Sequence, residues 1–96
     1  MPTKQSIRLM STPLFQKYGV KRAALFGSVV RNEAGKESDV DILVEMGKGR
    51  PFDFFNLQED LVKQFGCKVD LVEFAALRPQ LKDRILAEAE VVYQGS

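Results

Sequence analysis

The seven residues from Val40 to Met46, VDILVEM, restrict the fold more than any other stretch of this chain. Their apolar side chains are nearly continuous, as expected of a strand covered on both faces, so the rest of the chain has to supply layers to pack on it. VKRAALFG before it and CKVDLVEF after it read as a first and a third strand. Between the second and third, Phe54, Leu57, Leu61, Val62 and Phe65 recur at helical spacing and Gly66 ends the element. Pro79 opens a last helix at its first turn, with Leu81, Ile85, Leu86 and Ala89 as the expected buried stripe, followed by a short strand VVYQ. Near the start, Ile7, Leu9, Met10, Leu14, Phe15 and Tyr18 suggest a helical face that stops at Gly19. Pro13 is expected to start or kink the main part of that helix, with Thr12 as its cap. The order helix, strand, strand, helix, strand, helix, strand predicts an α/β (α+β) fold, a small mixed sheet packed with helices.

Composition narrows what such a fold can do. With 96 residues, one domain over positions 1–96 is expected, and function has to fit on one compact face. Fourteen Lys and Arg stand against 13 Asp and Glu, a net charge of +1, which argues against a broad nucleic-acid surface. The absence of histidine removes Ser-His-Asp and Cys-His catalysis and every His-based metal site. Carboxylates are left as base and metal ligands. A single cysteine, Cys67, excludes an internal disulfide framework and reads most simply as a small buried hydrophobe. No apolar run is long enough to cross a membrane and the N-terminal stretch does not read as a signal peptide, so a cytoplasmic location is expected.

The second strand carries a contradiction. Asp39 and Asp41, two apart, project to the same face of a strand and repel each other, and each costs several kcal/mol to desolvate unless a cation offsets it. Lys36 or Arg31 could supply that cation at a strand start; so could a metal. Mg²⁺ takes oxygen ligands, keeps several waters and is usually held by a few carboxylates together with substrate phosphates, which the Asp-Val-Asp pattern suits. Asp70 places a third carboxylate in an apolar strand; it converges with the pair if the third strand lies beside the second, and otherwise it caps or pairs on an edge. Three converging carboxylates could hold two ions about 4 Å apart, a geometry for phosphoryl or nucleotidyl transfer. Gly27-Ser28 ends the first strand, where glycine lets backbone N–H groups approach a phosphate and the serine hydroxyl can donate as well. Arg31 either reaches phosphate oxygens through its fork of donors or pairs with Glu33. Lys48 and Arg50 read as solvated turn residues, Tyr93 as structural, and PFDFF (51–55) as an interface candidate, since consecutive helical residues cannot all point inward.

Taken together, Gly27-Ser28, the ten residues Val29 to Ser38, Asp39-Val40-Asp41 and the later Asp70 resemble the signature of the minimal nucleotidyltransferases (MNT), members of the DNA polymerase beta-like nucleotidyltransferase superfamily. The likeness runs from KYGVKRAALFGS through SDVDILVEM to LRPQLKDRILAEAEVVY; Asn32, where the family often has glycine after the arginine, departs from it. The resemblance implies a nucleotidyltransferase fold in which Gly27, Ser28 and Arg31 bind the triphosphate of ATP. It also implies that Asp39, Asp41 and Asp70 hold two Mg²⁺ ions, Asp70 taking the proton of the acceptor hydroxyl. Many family members are antitoxins paired with a HEPN-domain ribonuclease toxin, and some transfer AMP onto a tyrosine of that toxin. The short chain fits an acceptor that arrives docked on a partner. Neutralisation by binding alone, and transfer to RNA or a small molecule, are the alternative readings.

Overall fold

The computed structural model describes residues 3–27, 40–47 and 53–95. Three helices, α1 (Lys4–Lys17), α2 (Asp53–Phe65) and α3 (Pro79–Glu88), alternate with four strands, β1 (Val20–Phe26), β2 (Val40–Met46), β3 (Val69–Glu73) and β4 (Glu90–Gln94). The strands form one mixed sheet in the order β3-β2-β1-β4. β1 runs antiparallel to both β2 and β4, while β2 and β3 are parallel, joined by α2 as a crossover helix. The expected α/β layout is therefore present.

α1 and α2 pack side by side on one face of the sheet, α1 over β1 and β4, α2 over β3. Alternation along β2 turns Val40, Ile42 and Val44 toward these helices and Asp41, Leu43 and Glu45 away. A register shift between Val20 and Arg22 lets Val20 face inward together with Ala23 and Leu25. Ile7 and Phe15 of α1, Leu57 and Leu61 of α2, Val69 and Leu71 of β3 and Val92 of β4 complete the core. Cys67 packs at its edge, as does Tyr93, whose ring lies 5.4 Å from that of Phe15.

Two expectations fail, each for a physical reason. α1 does not begin at Thr12; Thr3 is its N-cap in a reciprocal capping box with Ser6, and the helix runs through Pro13. Ile7, Ser11 and Phe15 bury one continuous stripe against the sheet, and that packing outweighs the helix-breaking tendency of Pro13, which points to solvent. Instead of capping, the Thr12 hydroxyl donates to the Arg8 carbonyl within the helix. The second failure is α3: it starts at Pro79 as expected, but none of its residues is fully buried, and Leu81 and Leu86 are 46% and 39% exposed. Its apolar stripe faces the side of the sheet away from α1 and α2, where a cavity of about 190 Å³ separates Leu86 and Ala89 from Ala24 and Leu43.

Side chains tie the layers together. Tyr18 at the end of α1 donates to Asp60 of α2, and Lys17 adds an ion pair to the same carboxylate at 3.7 Å. Gln58 of α2 donates to the Val69 carbonyl on the outer edge of β3 at 3.0 Å, and Arg8 of α1 to the Val91 carbonyl of β4 at 3.1 Å. A short 3₁₀ turn, Phe74–Ala76, follows β3, and the charged heads of Arg22 and Lys82 lie 5.3 and 4.9 Å from the centre of its Phe74 ring. Among the described residues no helix is long and apolar enough to cross a membrane.

Candidate active site

One end of the sheet gathers Gly27, Asp41 and Asp70. Because β1 and β2 are antiparallel, the end of β1 meets the start of β2, and Phe26 pairs with Asp41. Because β2 and β3 are parallel and in register, Asp41 pairs with Asp70. Paired residues on adjacent strands share a face, so the two half-buried carboxylates project to the same side, away from the core helices. Their strands are about 4.8 Å apart at this point, close enough for both to bear on one ion.

Gly27 closes this end. Its φ of +79° lies in the left-handed region that favours glycine, and the chain leaves β1 there. A Cβ at this position would stand 2.1 Å from Oδ2 of Asp41 and 3.0 Å from its Cγ. The Asp41 carboxylate thus lies directly against the glycine Cα, in space that any other residue would fill. The Gly27 N–H donates to Oε1 of Glu88 at 2.8 Å. This contact follows from topology: Leu25 pairs with Glu90 across the antiparallel β1–β4 ladder, and continuing that register by two residues sets Gly27 opposite Glu88.

Of the expected site residues, Gly27, Asp41 and Asp70 come together, whereas Ser28, Arg31 and Asp39 lie outside the described residues, as do Lys48, Arg50 and Phe52. Sequence reading missed Glu88, because nothing local marks a glutamate at the end of an amphipathic helix; only the β4–β1 pairing brings it to the site. Among the described residues no group of three His, Cys, Asp or Glu side chains is placed to hold a metal ion. The donor chemistry of Asp41 and Asp70 nonetheless suits Mg²⁺, which needs hard oxygen ligands and accepts water and substrate phosphate in its remaining positions. The bare Gly27 Cα leaves the Asp41 carboxylate room to turn its oxygens toward such an ion. Phe54 is half-buried and packs edge-on against Phe55, which is 68% exposed beside it on α2.

Comparison with known proteins agrees with this fold. The family model for the polymerase beta nucleotidyltransferase domain matches residues 11–96. A candidate protein adenylyltransferase of Methanocaldococcus jannaschii, MJ0435, is 47% identical over 78 residues, spanning 80% of this chain and 84% of that protein. Protein adenylyltransferase MntA of Thermococcus cleftensis is 40% identical over 81 residues, spanning 83% and 80%. The solved structure of a candidate minimal nucleotidyltransferase superposes with a TM-score of 0.81 at 33% identity, covering 93% of this chain and 95% of that one. A Shewanella oneidensis MNT antitoxin in complex with a tri-AMPylated HEPN toxin gives a match with a TM-score of 0.72 at 18% identity, covering 97% and 74%, a likeness of fold.

Proposed function

The chain belongs to the polymerase beta nucleotidyltransferase family, and on that premise we propose that it transfers AMP from ATP to a tyrosine hydroxyl of a HEPN-domain ribonuclease toxin, acting in the cytoplasm as that toxin's antitoxin. The observation that carries the reading is the pairing of Asp41 with Asp70 beside a glycine that no other residue could replace without moving the Asp41 carboxylate. The relatives named as protein adenylyltransferases favour a protein acceptor, and the Shewanella complex, which pairs an MNT antitoxin with a tri-AMPylated HEPN toxin, favours a HEPN partner.

In this reading residues 1–96 act as one minimal nucleotidyltransferase domain. Asp39, Asp41 and Asp70 hold two Mg²⁺ ions, which when bound neutralise the triphosphate and favour the ionised acceptor hydroxyl. Gly27 and Ser28 donate to the phosphate oxygens, and Arg31 adds its guanidinium. Asp70 receives the proton of the tyrosine hydroxyl. The tyrosine oxygen then bonds to the α-phosphorus of ATP as the bond to the bridging oxygen breaks, giving tyrosyl-AMP and pyrophosphate. With no histidine in the chain, the carboxylates are the side chains suited to that base role near neutral pH.

Intact-mass measurement of a cognate HEPN toxin after incubation with ATP, Mg²⁺ and this protein tests the proposal. Wild type adds whole AMP units, and Asp39→Asn and Asp41→Asn add none. An unmodified toxin with wild type refutes transfer to that partner. If Asp41→Asn still neutralises the toxin in cells, binding alone explains the antitoxin effect.

A further inference from the structure

The N–H of Gly27, which the proposed function gives to the triphosphate, already has a partner in the Glu88 carboxylate at 2.8 Å. We propose that Glu88 gates the nucleotide site: its carboxylate competes with the triphosphate for the Gly27 N–H, and ATP enters by displacing it as the last turn of α3 moves aside. The inference rests on the nucleotide-binding role of Gly27. A carboxylate oxygen and a phosphate oxygen make the same kind of charge-assisted bond to a backbone N–H, and one N–H aimed at Glu88 cannot also serve the triphosphate. The two anions also repel, the more so beside Asp41, whose Oδ2 lies against the same glycine.

The packing of α3 lets such a release occur without disturbing the core. The helix has no fully buried residue, and the cavity of about 190 Å³ beneath Leu86 and Ala89 gives its last turn space to shift. Ala89 alone links α3 to β4, in an extended conformation with φ −65° and ψ 141°, so a small rotation there carries Glu88 away from Gly27 while β4 stays paired. At the other end, Lys82 of α3 lies 4.9 Å from the Phe74 ring, a contact that persists when only the C-terminal turn moves.

A gate of this kind lowers apparent affinity by the fraction of molecules in which the donor is open. Calorimetric titration of the full chain with ATP and Mg²⁺ compares wild type, E88Q and E88A, each checked for a cooperative thermal transition. E88A should bind ATP about tenfold more tightly, from the usual strength of a hydrogen bond to a charged group. E88Q should fall between, since its amide oxygen still accepts the N–H but carries no charge. Equal or weaker binding by both variants, with wild type binding ATP, overturns the gate and leaves the transferase reading intact; weaker binding is what a Glu88 that merely braces the Gly27 turn would give. Failure of all three proteins to bind ATP overturns both. If E88A does not fold, E88Q decides.

Discussion

Replacing Gly27 by alanine puts a methyl group where Oδ2 of Asp41 now lies, 2.1 Å from the new Cβ, on a backbone with φ +79°. Two costs follow and they are separable. The left-handed backbone alone costs an alanine about 1–2 kcal/mol of stability. The overlap with Asp41 is relieved by rotating a side chain, so it adds little to unfolding, but it moves a carboxylate oxygen by about 1 Å, and a displacement of that size in a reacting constellation lowers rate by about 10²-fold. Gly19 and Gly66 provide the controls, since both have φ +66° and a Cβ on either would meet nothing within 4 Å. Urea denaturation of the three alanine variants should show similar losses of about 1–2 kcal/mol. AMP transfer to a HEPN toxin, followed by mass, should fall about 10²-fold for Gly27→Ala alone, the other two keeping the wild-type rate. Wild-type transfer by a folded Gly27→Ala protein would refute the close fit of Asp41 to Gly27 as a condition of activity.

The Tyr18–Asp60 pair predicts a pH signature. The hydrogen bond from Tyr18, helped by the charges of Lys17 and Lys63, holds the Asp60 carboxyl below its ordinary 3.8, and that bond to Asp60, with burial and the Asp60 charge, raises the Tyr18 hydroxyl above its ordinary 10.0. Asp60 therefore contributes stability above about pH 4 that is lost as pH falls through its folded value, and Tyr18 contributes stability below about pH 10 that is lost as pH rises through its own. The stability gap between wild type and Tyr18→Phe, measured by urea unfolding, should be level at neutral pH and shrink toward both extremes; a gap that persists unchanged at pH 2 would refute the pairing. The core and α3 should also respond differently: Leu57→Ala, at a fully buried position, should cost about 2–5 kcal/mol, and Leu81→Ala, 46% exposed, about 0.5 kcal/mol or less. Equal midpoints in urea would show that α3 is seated as firmly as α2.

What the sequence made legible was whatever depends on local period. The strands at Val40–Met46 and Val69–Glu73 and the helix at Asp53–Phe65 lie where alternation and helical spacing put them, and the face shared by Asp41 and Asp70 follows once β3 sits beside β2. The start of α1 is hidden from the sequence because Pro13 is a strong local signal, whereas the buried stripe through Ile7, Ser11 and Phe15 acts only when the sheet is present to receive it. The stripe of α3 misled in the opposite sense: Leu81, Ile85, Leu86 and Ala89 have the spacing of a buried face, yet spacing does not say how closely the sheet approaches, and here a cavity intervenes. At the site, Gly27 and Asp70 were recognisable by pattern, but Glu88 was not, because its place depends on a ladder between the second and the last of the seven elements read from the sequence.

The parallel pairing of Asp41 with Asp70 also has a meaning in time. Antiparallel neighbours can zip from a turn, but a parallel pair has to wait for the whole crossover helix to form and dock before its first rung closes. During refolding, or as the chain emerges from a ribosome, the hydrophobic face of α1 can begin to collapse while Asp41 and Asp70 are still apart. The meeting of the two carboxylates is therefore late relative to helix formation, and it reports that α2 has docked on the sheet.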